Sequence, residues 1–246
     1  ELSATSTSGL PVSFSVISGS AFVNGNMLTI TGAGQITIRA RQAGSTLYKA
    51  APSVDQTFYV EKATQTIVFP SIADRAFTTD PIQLNATASS QLPLDYIVEG
   101  NAYLEENILM LTGIGDITVL AHQAGNGNYF PSDTAVEVFN VTKATQNISF
   151  DFQDEVLYNL DPVELQGTAS SGLPVGYEVT GGEGYIENGY LIPTGFGSIT
   201  VKAFNNGDER YLAATPVSRT MEIREPSVDG ALTQIINFNY FSLRKI

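Results

Sequence analysis

A chain that repeats itself at a fixed interval must fold as a series of similar units, and this one repeats about every 81 residues. Leu10-Pro11-Val12 returns as Leu92-Pro93-Leu94 and Leu173-Pro174-Val175, in steps of 82 and 81. Thr31-Gly32-Ala33-Gly34 returns as Thr112-Gly113-Ile114-Gly115 and Thr194-Gly195-Phe196-Gly197, and Tyr48, Tyr129 and Tyr211 keep the same step. Lys62-Ala63-Thr64-Gln65 returns as Lys143-Ala144-Thr145-Gln146.

Between these landmarks the apolar residues alternate with period two, the periodicity of a half-buried strand. Ile36, Ile38 and Ala40 correspond to Ile117, Val119 and Ala121 and to Ile199, Val201 and Ala203. The closing strand of each unit places Phe58 and Val60, Phe139 and Val141, and Met221 and Ile223 on one face. Asn24-Gly25-Asn26, Glu105-Glu106-Asn107 and Glu187-Asn188-Gly189 mark short hairpins, because Asn and Gly tolerate positive φ. About seven strands in roughly 80 residues, with frequent turns, is the pattern of a two-sheet antiparallel sandwich. The predicted fold class is therefore all-β: tandem immunoglobulin-like β-sandwich domains arranged as an elongated rod. The chain has no Cys and no Trp, so neither a disulfide nor a core Trp supports these sandwiches.

Lys-Ala-Thr-Gln begins immediately after a closing strand and leaves almost no linker. The predicted domains are 1–61, 62–142 and 143–224, followed by a tail at 225–246. Leu2 aligns with Leu84 and Leu165, so the first repeat is expected to lack its first strand. In the tail, Thr233-Gln234-Ile235-Ile236-Asn237-Phe238 resembles Thr64-Gln65-Thr66-Ile67-Val68-Phe69 and Thr145-Gln146-Asn147-Ile148-Ser149-Phe150. Two readings follow: a longer array cut across two repeats, or head-to-tail self-association in which Thr233, Gln234, Ile235, Ile236 and Phe238 donate a strand to an open sheet edge. Glu1 opens neither a signal peptide nor a transit peptide, which reads as a processed or excised segment.

The formal net charge of −13 repels polyphosphate and argues against nucleic acid as a partner. No apolar run approaches the roughly 18 residues that span a bilayer, so membrane insertion is not expected. His122 is the one histidine, with Arg41 and Phe204 at its equivalent positions, which excludes a His-based triad or a multi-His metal site. Asp74 with Asp80, Asp154 with Asp161, and Glu105 with Glu106 are solvated turn carboxylates or, alternatively, weak Ca²⁺ ligands, although none has the Asp-x-Asp-x-Asp spacing of a calcium loop. No other cofactor is expected. Strands, not helix N-termini, follow the Gly-x-Gly turns, so these are not phosphate loops. The chain reads as no enzyme.

Ala88-Ser89-Ser90-Gln91-Leu92-Pro93-Leu94, Ala169-Ser170-Ser171-Gly172-Leu173-Pro174-Val175 and Gln123-Ala124-Gly125-Asn126-Gly127-Asn128-Tyr129, with the Lys-Ala-Thr-Gln joins, resemble repeats of large Bacteroidota surface adhesins. These are bacterial Ig-like, MBG-type repeats, and the group includes gliding-motility adhesins exported by the type IX system. The third repeat departs from the pattern, with Asn205-Asn206-Gly207 where Gln-Ala-Gly is expected. Asp133-Thr134-Ala135 resembles the short O-glycosylation motif of such proteins, with Thr134 as acceptor.

The resemblance implies an extracellular, cell-surface location and a structural stalk or filament segment of a secreted adhesin. Its partners would be other domains or subunits of that adhesin. The alternatives are a carbohydrate- or protein-binding Ig-like module and an accessory region of a secreted hydrolase.

Overall fold

Alternating side chains rich in Ile, Val and Thr suit a pleated ribbon with one wet and one dry face. The computed structural model describes residues 1–151 and 160–224, and every regular element among them is a strand. The first repeat contains β1 (Ser13–Ser18), β2 (Ala21–Asn24), β3 (Met27–Ile30), β4 (Gly34–Arg41) and β5 (Val54–Val60). In the second lie β6 (Ile67–Val68), β7 (Arg75–Ala76), β8 (Ile82–Gln83), β9 (Thr87–Ala88) and β10 (Asp95–Glu99). They are followed by β11 (Ala102–Glu105), β12 (Ile108–Leu111), β13 (Gly115–His122) and β14 (Ala135–Thr142). The third repeat begins with β15 (Ile148–Asp151), β16 (Val163–Glu164), β17 (Gln166–Ala169) and β18 (Gly176–Gly181). It closes with β19 (Gly184–Glu187), β20 (Tyr190–Pro193), β21 (Gly197–Phe204) and β22 (Val217–Ile223). The chain divides into two compact units, Glu1–Thr142 and Lys143–Ile246.

The second repeat shows the topology most fully. One sheet has the order β10-β13-β14-β7, with β7 parallel to β14 and the other pairs antiparallel. A second has the order β11-β12-β8, while β6 pairs antiparallel with β9. Ile82, Leu84 and Ala88 are buried on one parity, so β8 and β9 continue one extended run. An opening strand that pairs first with one sheet and then, in parallel, with the closing strand of the other is an immunoglobulin-like arrangement. In the third repeat the sheets are β18-β21-β22, β16-β20-β19 and β15-β17.

Seven strands per repeat were expected, and the second repeat has nine, because its opening and second strands are each split. Pro70 follows β6 and has no N–H to donate, so the ladder stops there. The chain then crosses to β14, tethered by the Ile72 N–H to Glu137 Oε1 (2.8 Å) and by the Asn140 N–H to Asp74 Oδ1 (2.7 Å).

Three hairpins share a two-residue loop whose first residue has positive φ: Gly25 (62°), Glu106 (57°) and Asn188 (50°). Gly and Asn adopt this region readily, whereas Glu does so under strain. Glu106→Gly should therefore stabilise the second repeat by about 0.5–1 kcal/mol, because relief of left-handed strain exceeds the added chain entropy. A rise of a few degrees in the thermal transition of that repeat, followed by circular dichroism, is the expected result.

Where both sheets are complete, the alternating residues form a dry core. Leu109, Ile117, Val119, Phe139 and Val141 are buried in the second repeat, and Leu191, Ile199, Val201, Met221 and Ile223 in the third. Full burial of each such side chain stabilises by about 1.5–3 kcal/mol. In the first repeat Ile36 and Ile38 are buried, but Leu28, Ala40, Phe58 and Val60 are only half-buried. Within the first unit, Asn128 Oδ1 of the second repeat accepts the Ala33 N–H of the first at 2.9 Å.

Candidate functional site

The loop after β13 turns at Gly125 with φ of +77°, where a Cβ would lie 2.5 Å from the Tyr129 carbonyl oxygen. That turn presents the Gly125 N–H to Gln123 Oε1 at 2.5 Å. Gln123 is buried, and its Nε2 donates to the Pro93 carbonyl at 3.3 Å. A second buried amide, Gln65, completes the cluster: its Nε2 donates to Gln123 Oε1 and to the Phe130 carbonyl, both at 2.7 Å. Ser90 Oγ donates to Gln65 Oε1 at 2.5 Å. Two uncharged amides thus lie in the interior with mutual partners, the condition under which burial of polar groups is tolerated.

The third repeat builds the same cluster with a shorter side chain. Gln146 Nε2 donates to Asn205 Oδ1 and the Leu212 carbonyl, each at 2.8 Å, and Ser171 Oγ donates to Gln146 Oε1 at 2.5 Å. Asn205 Nδ2 reaches the Pro174 carbonyl at 2.7 Å, and Asn205 Oδ1 accepts the Gly207 N–H at 2.7 Å. The departure of Asn205-Asn206-Gly207 from Gln-Ala-Gly therefore keeps every bond of the slot.

Lys-Ala-Thr-Gln threads its own Gln into this slot. Lys62 Nζ donates to the Asn126 carbonyl at 2.7 Å, and Ala63 forms a parallel bridge with Tyr129. Lys143 Nζ donates to the Asp208 carbonyl at 2.7 Å, and Ala144 bridges Tyr211. Burial pushes the Asp208 carboxyl up, but the N–H groups of Arg210 and Tyr211 and the Arg210 guanidinium together more than offset this and hold it below the usual carboxylate range. Two residues beyond each Gln, the strand begins, and the aromatic that follows packs in the sandwich: Phe69 meets Tyr96 at 6.1 Å and Phe150 meets Tyr177 at 5.3 Å between ring centroids.

In the first repeat the slot exists, and among the described residues no strand fills it. Gln42 is buried and its Oε1 accepts the Gly44 N–H at 2.9 Å, as in the other repeats. Ser8 stands at the position of Ser90 and Ser171, and Phe14 at that of Tyr96 and Tyr177. Here an open cleft of about 820 Å³ lies against the β1-β4-β5 sheet, bordered by Leu2, Phe14, Ile38, Gln42, Tyr48 and Phe58. Tyr48 is 52% exposed, whereas Tyr129 and Tyr211 are half-buried beneath their bridging partners.

The remaining candidates lie apart from this cleft. His122 ends β13 half-exposed, with Nε2 3.8 Å from Asp95 Oδ2. Thr134 is exposed just ahead of β14. Among the described residues there is no group of three or more His, Cys, Asp or Glu placed to hold a metal ion, and no helix long and apolar enough to cross a membrane. Asp154 and the strand-like segment Thr233, Gln234, Ile235, Ile236 and Phe238 lie outside the described residues.

Nothing in the repeat pattern alone links Lys-Ala-Thr-Gln, the mark of a repeat boundary, to the slot that its Gln enters. What recurs is the spacing: Gln65 precedes Gln123 by 58 residues and Gln146 precedes Asn205 by 59.

No protein-family model matches the chain, and no curated protein does. Solved structures similar to it include Drosophila N-cadherin EC1-4, at 11% identity and a TM-score of 0.32, covering 88% of this chain and 66% of that one. Sidekick-1 immunoglobulin domains 1-5 match at 12% identity and TM-score 0.35, covering 86% of this chain and 51% of that one. Domains 4-9 of the surface layer protein SbsC match at 10% identity and TM-score 0.27, covering 87% and 39%. The chain thus spans less than two thirds of each of these proteins, and at such scores the likenesses carry no argument about function. The immunoglobulin-like assignment rests on the strand pairing itself.

Proposed function

We propose that the chain is a structural spacer, a stalk segment of an extracellular bacterial cell-surface adhesin, built from repeats at 1–61, 62–142 and 143–224. The observation that carries this reading is where the recurrent residues are used. Gln65 and Gln146, Ser90 and Ser171, Gly125 and Gly207, and the two bridging lysines all bond within their own repeat. What each repeat retains serves its own folding, as expected of a module whose role is to be stable and to add length. The repeat motifs resembling Bacteroidota adhesins support the same reading, including export by the type IX system and O-glycosylation at Thr134.

An extended array and a compact one differ in size. With about 30–40 Å added per sandwich, small-angle scattering should give a largest dimension of roughly 90–120 Å. The radius of gyration should be near 30 Å, against the roughly 18 Å of a compact chain of this length. A compact particle would overturn the spacer reading, and specific binding on a glycan array would favour a carbohydrate-binding module instead.

A further inference from the structure

We propose that the outer face of the β10-β13-β14-β7 sheet, in the second repeat, is a docking surface for a protein partner that presents apolar side chains flanked by lysine or arginine.

All three repeats build this face on the same strand pairs, and two of them make it polar. In the first repeat the row across the face is Ser15, Arg39 and Asp55, with Arg39 Nε and Nη2 each donating to an Asp55 oxygen at 2.6 Å. In the third it is Glu178, Lys202 and Ser218, with Lys202 paired to Glu178. The adjacent row carries a hydroxyl pair, Thr37 with Thr57 at 2.9 Å and Thr200 with Thr220 at 2.8 Å. The second repeat instead sets Ile97, Leu120 and Val136 in the first row, and Val138 opposite Thr118 in the next. Ile97, Val136 and Val138 are 53%, 54% and 56% exposed, and Leu120 between them is half-buried. The other two repeats show that the sandwich needs no apolar side chain at these four positions. Contiguous apolar surface left in water on one repeat alone marks an interaction site.

The charges beside the patch select the partner. Asp95 and Glu99 flank Ile97 on β10, where the first repeat has Ser13 and Ile17 and the third Gly176 and Thr180. Asp116 is exposed on β13 and accepts from Asn140 Nδ2 at 2.7 Å, and His122 lies 3.8 Å from Asp95 at the other end of the face. Lys62 donates to the Asn126 carbonyl and Arg75 lies over the ring of the buried Phe139, so neither offsets these carboxylates. With strands about 4.8 Å apart and residues of one face about 6.8 Å apart along them, the four aliphatic side chains cover on the order of 200 Å², against the roughly 800 Å² per partner of a stable interface. Apolar contact of that size does not hold a partner alone, so the carboxylates beside it must contribute by meeting positive charge. A second copy fails this condition: it would bring Asp95, Glu99 and Asp116 against like charges, and each chain carries a formal net charge of −13. The inference goes beyond the spacer reading, because it gives one repeat a contact that the equivalent faces of the other two are not built to make.

Ile97→Glu, Leu120→Lys and Val136→Ser together install the third repeat's own residues and erase the patch. One carboxylate and one ammonium are added, so the net charge is unchanged and any loss of binding belongs to the patch. The probe is a fluorescent dodecapeptide of alternating Leu and Lys, titrated with the full chain and followed by anisotropy. The native chain should bind it at least about tenfold more tightly than the triple variant does. Val138→Thr, which restores the threonine of the other two repeats, should weaken binding about threefold and keeps the comparison readable should the triple variant unfold. Asp95→Asn with Glu99→Gln should weaken binding more than Glu105→Gln with Glu106→Gln, which removes the same charge at the β11-β12 hairpin. A Ser-Lys peptide reads charge alone and should not distinguish the native chain from the triple variant. Equal affinity of the native chain and the patch variants for the Leu-Lys peptide overturns the proposal, as does equal binding of a Leu-Glu peptide. A native mass above 26.3 kDa in light scattering that falls back in the triple variant assigns the face to a second copy and overturns the basic partner. The scattering dimension of the monomer is unaffected by any of these results, so failure here and failure of the spacer reading are told apart.

Discussion

Gln146→Ala is expected to destabilise the third repeat by about 2–4 kcal/mol, a fall in its melting temperature of roughly 10–20 °C. The side chain donates to Asn205 Oδ1 and the Leu212 carbonyl and accepts from Ser171 Oγ, with both amides buried and the bonds to Leu212 and Ser171 partly so. Alanine removes three bonds at once, leaving the Leu212 carbonyl and the Ser171 hydroxyl short of partners, and it opens a void where the amide stood. The larger part of the cost comes from the groups left behind, because an unmet buried donor or acceptor loses its full hydration. Ser171→Ala should be milder, near 1 kcal/mol, since it removes one donor and leaves Gln146 its two acceptors. Gln146→Glu should resemble the alanine variant at neutral pH, because a carboxylate has no N–H for Asn205 or Leu212. Calorimetry of the four proteins should give the order native, Ser171→Ala, then the two Gln146 variants. Equal stability of native and Gln146→Ala would show that the slot contributes nothing to folding.

The slot also explains which parts of the fold could be read from residues alone. Strand parity was legible because each face obeys a local rule: Ile199, Val201 and Ala203 alternate with Thr200 and Lys202, and all three are buried. The hairpins were legible for a similar reason, since their two-residue loops carry their own conformational demand. The pairing of Gln65 with Gln123 was not, because it joins two loops 58 residues apart and no local rule links them. The substitution of Asn205 for Gln then disguised the recurrence, although the same acceptor atom is presented in both. Parity also could not tell that Phe58 and Val60 would be half-buried where Phe139 and Val141 are buried. A face is chosen by the strand itself, whereas its burial depends on what lies across from it. The splitting of the opening strand follows from Pro70, a residue whose missing donor matters only once the ladder it interrupts is known.

Gly207→Ala and Gly172→Gln should have sharply different consequences, although both place a side chain on a glycine of nearly equal φ, +75° and +76°. At Gly172 a Cβ meets nothing within 4 Å, and the second repeat already carries Gln91 at the equivalent position with φ of 62°. The cost there is confined to left-handed strain, about 1 kcal/mol. At Gly207 the new Cβ would lie 2.3 Å from the Tyr211 carbonyl oxygen and 2.7 Å from the Leu212 carbonyl carbon, both backbone atoms that no rotamer change can clear. The loop must open, and with it go the Gly207 N–H bond to Asn205 Oδ1 and the position of the Leu212 carbonyl that Gln146 uses. Strain, overlap and the disturbed slot together should cost about 3–5 kcal/mol, enough to unfold a repeat of this size near physiological temperature. The same contrast should hold one repeat earlier, where Gly125→Ala meets the Tyr129 carbonyl at 2.5 Å and Gln91→Gly should be neutral or stabilising. Urea titrations of the four variants separate the two effects: equal midpoints for Gly207→Ala and Gly172→Gln would mean that backbone conformation alone, and not the slot, governs these turns.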